Sequence, residues 1–360
     1  MHSQKYFESL LKNKSDEKLP FLIMFKGKKI LITGGTGSLG QSLTKKLLET
    51  DVDTIRIFSR NESKQVEMES NFDDGRLRFL IGDIRDNERL VTAFEDIDIV
   101  FHAAALKHVP VIEYNPFEAI KTNVYGSQNV IDASLTQDVQ KVVCIGTDKA
   151  VSPLNTYGAT KLLMEKLFVS ANNSLNEERH KTSFLALRYG NVVGSSGSVI
   201  PKFIQMINEG KKITITDSQM TRFSITMDQA LDFIIDCTIN GKSSEIYVPK
   251  LKSYSIMDVK DALFDLLGKT DFNEVGIRPG EKLHEILINS EEIRNSWDLQ
   301  NKFMISNPSK NDEDIIKSYD DKIKKITEID EYSSKIAVHY TKNELIEIIE
   351  KSNLLNHKVD

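Results

Sequence analysis

Tyr157 and Lys161 stand four residues apart in the run TYGATKLLMEKLF, so on a helix their side chains share one face. An ammonium beside a phenol favours the phenolate and lowers the phenol's pKa from about 10 toward neutrality. A tyrosine tuned in this way removes the proton of an alcohol while a bound nicotinamide takes the hydride from the same carbon. Just upstream the chain reads Gly146-Thr147-Asp148-Lys149-Ala150, which sets a hydroxyl, a carboxyl and an amine beside the tyrosine. The plainer alternative is a surface tyrosine near a helix start with an incidental lysine. Y-x-x-x-K on its own fits that alternative; its place behind a nucleotide-binding half, next to a threonine at a strand end, speaks against it.

That half opens with KILITGGTGSLG. Lys29 to Thr33 read as a short buried strand, and Gln41 to Glu49 as a helix. Between them lie Gly34, Thr36, Gly37, Ser38, Leu39 and Gly40, with the three glycines three apart. Strand, glycine turn and helix N-terminus make a cradle for a pyrophosphate, since the backbone can approach closely and its free N–H groups favour negative charge. A second strand, Asp53 to Ser59, ends where an NAD site usually offers an acid to the ribose. Ser59, Arg60 and Lys64 stand there instead, and a guanidinium with a hydroxyl suits a 2′-phosphate, so the expected cofactor is NADP. A solvated surface arginine is the alternative, with Asn61-Glu62 serving NAD. A third strand, Arg78 to Ile81, leads to Asp83 and Ile84. Asp83 can accept from the adenine amino group with Ile84 against the ring, or it can cap the next helix.

Ile97 to Ala105 read as a fourth, central strand with a small-residue end at Ala103. Lys107 follows at the mouth of the site, within reach of a phosphate or substrate. His102 and His108 flank this point, but no carboxylate or cysteine cluster joins them into a metal site. A long helix over Glu118 to Thr136 carries Asn123, and Gln140 to Gly146 form the fifth strand. Strands alternating with helices predict an α/β, Rossmann-type doubly wound parallel sheet, with ligands at the strands' carboxyl ends. Phe184 to Leu187 are the sixth strand. Asn191 follows, in position to hold a substrate hydroxyl or diphosphate.

The expected organisation is a leader at 1–27, a nucleotide-binding domain at 28–200, a smaller substrate lobe at 201–300 interleaved with the last strands, and a tail at 301–360. The leader pattern (Tyr6, Phe7, Leu10, Leu11) suits an amphipathic helix, and Phe21 to Phe25 an arm packing on the domain or a partner. Arg222 and Arg278 fall in loops of the lobe and suit a nucleotide-sugar diphosphate, with Glu281 accepting from a ribose hydroxyl. In the tail one amphipathic helix runs from Asn343 to Glu350.

The 360 residues suffice for this two-part arrangement. With 40% hydrophobic and 28% charged residues, the composition is that of a globular enzyme. A net charge of −6 without a basic block argues against nucleic acid as main partner. Two cysteines, Cys144 and Cys237, fit a reducing cytoplasm and exclude a disulfide or zinc-cysteine framework. The longest apolar run near the N-terminus, Phe21 to Phe25, is too short to span a bilayer.

The runs ITGGTGSLG, IFSRNESKQ, GDIRD, HAAALKHVPVIEYNP, TDKAVSPLNTYGATK, RYGNVVGSSGSVIP, ITITDSQMTRF and GIRPGEKLHE cover roughly residues 28–290. Through them the chain resembles the extended short-chain dehydrogenase/reductases, and more narrowly the soluble inverting UDP-N-acetylglucosamine 4,6-dehydratases of pseudaminic acid biosynthesis. A related subgroup has methionine in place of Tyr157, and the long membrane-bound homologues carry transmembrane helices that this sequence does not show. The resemblance implies that Tyr157, with Lys161, takes the 4-hydroxyl proton while carbon 4 gives hydride to NADP+. Lys149 is then the candidate base at carbon 5 and Asp148 the candidate acid for the departing 6-hydroxyl, with hydride returning to carbon 6. As a base Lys149 needs a depressed pKa. The resemblance adds Thr216 to the UDP-sugar contacts and implies a homo-oligomer. Two departures stand out: Ser196 replaces a residue often basic in the family, and the leader is longer than such enzymes need. The enzyme alternatives are a retaining 4,6-dehydratase and a UDP-sugar 4-epimerase; the non-enzyme alternative is a silent NADP-binding scaffold.

Overall fold

In the computed structural model, residues 18–176, 179–194, 198–278, 280–352 and 354–355 are described. Six short apolar runs become parallel strands: β1 (Lys29–Thr33), β2 (Thr54–Ser59), β3 (Leu77–Ile81), β4 (Ile99–His102), β5 (Lys141–Ile145) and β6 (Ser183–Leu187). Their order is β3-β2-β1-β4-β5-β6 within a ten-stranded sheet. Ile246–Pro249 extends it in parallel beside β6, and Lys302–Ile305, Ser296–Asp298 and Lys324–Lys325 close that edge in antiparallel fashion. Side chains alternate between two cores. Ile30, Ile32, Ile55 and Ile57 face one, with Leu43 and Leu47 of the helix Ser38–Leu47; Leu31, Phe58, Val100 and Val142 face the other. Helices therefore cover both faces, and the strand order reverses between β1 and β4, which opens a crevice at their carboxyl ends.

β4 is shorter than the expected Ile97–Ala105. After His102 the chain leaves the sheet, and Asn123 replaces the ladder: its side chain accepts from Leu106 N (2.8 Å) and donates to Leu106 O (3.0 Å). The helix expected over Glu118–Thr136 is likewise not regular. A short α-turn, Pro116–Ala119, passes into a π-turn, Ile120–Tyr125, before the α-helix Gly126–Thr136. Asn123 sits in the π-turn and also donates to Thr160 Oγ1 (3.0 Å), so the loop after β4 is tied to the helix that carries Tyr157. Single π-turns inside helices often mark functional positions.

The smaller lobe has a three-stranded sheet (Ser253–Ser255, Thr221–Ile225, Asn191–Val192) and a two-stranded one (Phe272–Glu274 with Ile213–Ile215). Residues after 300, expected as a tail, join both bodies. Lys302–Ile305 is a fully buried strand of the main sheet, and helix Lys342–Lys351 buries Leu345 and Ile349 in the lobe's core beside Val259 and Leu263. Strands of two to four residues carry too little periodicity to be read from sequence. Ahead of β1, helix Lys18–Phe25 packs Phe21 and Phe25 into the core that holds Leu43 and Leu47. The amphipathic pattern at Tyr6, Phe7, Leu10 and Leu11 lies outside the described residues, as does Ser196.

His102 ends β4 as a buried connector. Its Nδ1 pairs with Thr33 Oγ1 of β1 (2.8 Å) and its Nε2 with Ser127 Oγ (3.0 Å). Burial, helped by the charge of Lys161, pushes its pKa down to about 3 from 6.5. The unfolded chain thus binds a proton that the folded one refuses, so stability falls as pH drops from 6.5 toward 3. At pH 4 the loss from this residue is about 3 kcal/mol. Urea denaturation at stepped pH should show this slope in the wild type and lose it in His102→Gln.

Candidate active site

The glycine turn forms one wall of the crevice. Gly34 has φ +70°, and a β-carbon there would lie 2.9 Å from Ala104 Cα, so the turn and the loop after β4 meet only because this residue is glycine. Gly37 is the N-cap of helix Ser38–Leu47 and has no side chain to accept from the first turn. By contrast Asn61, Asp86 and Asn155 cap the helices that they precede. The open N–H groups and the dipole at Gly37 make an anion cradle. Thr36 and Gly40 are buried within it, Leu39 is half-buried and Ser38 exposed.

Along the rim, Ser59 is already engaged: its hydroxyl and carbonyl accept from Gln65 Nε2 (3.0 and 3.1 Å). Arg60 is exposed, with Nη1 3.6 Å from Asp83 Oδ2, and Lys64 is exposed on the next helix. Asn61, the NAD alternative, uses its side chain to cap that helix. Asp83 does not cap the following helix; Asp86 does, by accepting from Arg89 N (3.0 Å). Asp83 is held by Arg85 instead (Nη2 to Oδ2, 2.7 Å). Burial works to raise its carboxyl, but the bonds from Arg85 outweigh that and hold it below its usual range. Ile84 is buried, Ala103 half-buried, and Lys107 exposed at the crevice mouth.

The reactive group gathers at the end of β5, where Asp148 N donates to Tyr189 O (3.1 Å) and a 3-10 turn covers Asp148–Ala150. Thr147 Oγ1 donates to Asp148 Oδ1 (2.9 Å). Lys149 Nζ donates to the same oxygen (2.9 Å) and to Asn191 Oδ1 (3.1 Å), and lies 3.6 Å from Glu285 Oε1. Helix Thr156–Ser170 begins at Asn155, which caps it through Gly158 N (2.8 Å) and reaches Gly280 O (3.0 Å). Tyr157 is buried, with Thr147 as its hydrogen-bond neighbour. Lys161 is buried too, but it donates to Ile145 O (2.9 Å).

Two expectations are corrected here. The Tyr157 phenol is not lowered: burial raises it, and the cation that works against burial is Lys149, not Lys161. Lys161 is itself pushed down to about 8 by burial. Lys149 is not depressed either. Burial works to lower it, but the carboxylates of Asp148 and Glu285 outweigh that and hold it above an ordinary lysine. In this state Lys149 is an ammonium.

Of the lobe residues, Arg222 is not in a loop. It sits buried on strand Thr221–Ile225, where its guanidinium donates to Thr221 O (2.8 Å) and Leu283 O (3.1 Å) and approaches Glu285 Oε1 (3.5 Å). Arg278 is exposed, and Glu281 folds back on its backbone N–H (3.4 Å). Thr216 is half-buried just past strand Ile213–Ile215. The structure therefore joins Thr147, Asp148, Lys149, Tyr157 and Asn191 directly, and Arg222 through Glu285. Arg278 and Glu281 flank Gly280, which accepts from Asn155, and among the described residues no hydrogen bond ties Thr216 to the group. Glu285 was missed because an acid ahead of a short apolar run reads as surface. Missed as well was a buried triad. Arg188, at the end of β6, donates to Glu165 of the Tyr157 helix (Nε to Oε2, 3.0 Å) and to Glu292 (2.9 Å).

The family model described as "Polysaccharide biosynthesis protein" matches residues 30–307. Two Campylobacter jejuni proteins, each named UDP-N-acetylglucosamine 4,6-dehydratase (inverting), are similar over most of their length. One is 49% identical, covering 79% of this chain and 84% of that protein. The other is 46% identical, covering 91% and 98%. The X-ray structure of Pen from Bacillus thuringiensis superposes with a TM-score of 0.83 at 39% identity, covering 92% of this chain and 99% of that one.

Arg188→Met leaves two buried carboxylates facing each other without their cation. The expected loss is about 3–5 kcal/mol, read as a drop in the urea midpoint.

Proposed function

The chain belongs to the polysaccharide biosynthesis protein family, and from that premise we propose that it is a UDP-N-acetylglucosamine 4,6-dehydratase that inverts carbon 5. The product is UDP-2-acetamido-2,6-dideoxy-β-L-arabino-hex-4-ulose. The observation that carries this reading is the contact of Thr147, Asp148 and Lys149 beside Tyr157. Oxidation of an alcohol needs only the tyrosine. A buried carboxyl and amine pair is what a dehydration adds, because one proton must leave carbon 5 and another must reach the departing 6-hydroxyl.

The glycine turn fits a dinucleotide, since Gly34 lets it close against Ala104 and the helix that starts at Gly37 has no capping side chain on its N-cap residue. Gly34, Thr36, Gly37, Ser38, Leu39 and Gly40 would hold the pyrophosphate of NADP, and Ser59, Arg60 and Lys64 its 2′-phosphate. Asp83 and Ile84 would meet the adenine, and Ala103, Lys107, Tyr157 and Lys161 the nicotinamide half. Bound there, NADP would supply the hydride acceptor for carbon 4 and the hydride donor for carbon 6, so no external reductant would be consumed. The exposed Arg60 and Lys64 support NADP over NAD.

The proton steps follow from the charge states. Burial keeps the Tyr157 phenol above its usual range, the Lys149 ammonium and the Thr147 hydroxyl work against that, and the fraction present as phenolate takes the 4-hydroxyl proton. Substrate in the cleft then excludes water, and a low dielectric favours the neutral pair over the ion pair. Across 2.9 Å the proton passes from Lys149 to Asp148. Lys149 becomes a free amine that accepts the carbon 5 proton, and Asp148 becomes an acid that protonates the 6-hydroxyl as it leaves as water. Both groups end as they began. Once hydride is on carbon 6, a proton from solvent reaches carbon 5 from the opposite face and inverts it, and Tyr157 gives up its proton to solvent. Arg278, whose guanidinium is exposed, is the arginine open to a diphosphate, with Lys107, Asn191, Thr216 and Glu281 along the sugar and ribose and Arg222 behind them.

A homo-oligomer acting in the cytoplasm, in a pathway of the pseudaminic acid type, completes the reading. Tyr114 is 88% exposed, and Val111, Phe117, Tyr125 and Leu163 are exposed on neighbouring elements, an apolar face suited to a second copy. Cys144 and Cys237 are both free. Light scattering should return a mass above one chain.

Proton NMR with UDP-N-acetylglucosamine in deuterium oxide, without added cofactor, tests the activity. The expected product has the L-arabino configuration and deuterium at carbon 5, and mass spectrometry should find NADP released from the same preparation. A D-xylo product rejects inversion, UDP-N-acetylgalactosamine signals an epimerase, and no turnover rejects the substrate. Tyr157→Phe should lower kcat by roughly 10²–10⁴-fold.

A further inference from the structure

We propose that Glu285 is a positioning residue of this reaction, a carboxylate that the segment ahead of strand Ile286–Ile288 presents to hold the Lys149 amine in place. Its backbone is pinned twice. Its N–H donates to Ser334 Oγ (2.9 Å), and its carbonyl accepts from Ser334 N (2.7 Å). Ser334 Oγ in turn meets Thr221 Oγ1 (2.7 Å), which anchors this point to the strand that carries Arg222. The side chain is 6% exposed and sits between two cations, with Oε1 3.6 Å from Lys149 Nζ and 3.5 Å from Arg222 Nε. Its other oxygen, Oε2, is buried without a hydrogen-bond partner among the described residues, and so is Asp148 Oδ2. A rigid, buried, half-satisfied carboxylate is costly unless its charge is used, and the charge that it faces is the Lys149 ammonium.

The groups around Lys149 come from every element packed on it. Asp148 shares its turn, Tyr157 comes from the helix, and Asn191 from the strand Asn191–Val192. Lys282 and Glu285 come from the segment before strand Ile286–Ile288, and Tyr254 from the lobe's sheet. Of these only Asp148 and Glu285 are carboxylates. In the proposed cycle Asp148 is neutral while Lys149 attacks carbon 5. At that moment Glu285 alone compensates the ammonium that forms, which makes the amine a stronger base. The inference rests on the dehydratase reading for this role, but the pairing itself does not.

The test compares the full-length wild type with Glu285→Gln and Glu285→Asp. Acetic anhydride acylation of Lys149, followed by mass spectrometry against pH, reads the amine without any turnover. Glu285→Gln should move the onset of acylation to lower pH by a unit or more, and Glu285→Asp by less. In the dehydratase assay the acid limb of the kcat profile should move the same way. The kcat plateau should fall at least fivefold while KM stays within threefold. An unmoved acylation profile overturns the proposal, even if kcat falls, because that pattern is mere structural damage. If the wild type turns over no UDP-sugar, the dehydratase reading falls, and the acylation shift still decides whether Glu285 sets the amine. Should Glu285→Gln fail to fold in a thermal melt, Glu285→Asp carries the comparison, and a profile identical to wild type overturns the proposal.

Discussion

One ammonium organises the cleft. Lys149 is held at 2.9 Å by Asp148 from its own turn after β5 and faced at 3.6 Å by Glu285 from the segment before strand Ile286–Ile288. Both carboxylates are buried against this amine, and together they outweigh the burial that would strip it of its charge. Asn191 binds the same amine, and Arg222 approaches the second carboxylate, so five residues from four elements depend on one another.

A second set of buried charges does a different task. Arg188, Glu165 and Glu292 lie deep between β6, the Tyr157 helix and the turn Glu292–Asn295. Such a triad adds little net stability over apolar packing, because desolvation offsets the attraction. It does fix geometry. Glu165 lies two turns beyond Tyr157 on the same helix, so the triad sets how that helix slides and rotates against the sheet. Asn123 does the same from the other side through Thr160.

The sheet was legible because its strands are apolar runs punctuated by glycine and small residues, as in KILITGG and KVVCIG. The cradle at Gly34 to Gly40 and the group from Thr147 to Lys161 were legible because they follow strands at the ends where this architecture binds ligands. What sequence hid was partnership. Lys161 lies one helical turn from Tyr157, yet a backbone carbonyl at the end of β5 takes its proton donor. Asp83 and Asp86 look equally able to cap, and Arg85 decides between them by claiming the first. Arg222 in MTRFS gives no sign of being on a buried strand, and Glu285 gains meaning only from residues far along the chain, Lys149 and Arg222. Short antiparallel strands beyond 290 lack the length for a pattern, so their place in the main sheet came only with the fold.

The π-turn at Ile120–Tyr125 has a consequence for how this chain tolerates length changes. A π-turn is an α-helix with one residue too many, and the surplus keeps Asn123 aimed at Leu106 and Thr160. Removing one residue from this segment would let the helix run regular and gain ordinary hydrogen bonds. The flanks would keep their orientation, but the widened turn that presents Asn123 would be gone, and the amide would lose its aim at the loop after β4. A shortening that looks harmless, or even beneficial to the helix alone, would uncouple the crevice from the Tyr157 helix. The irregularity is a spacer whose length the site cannot do without.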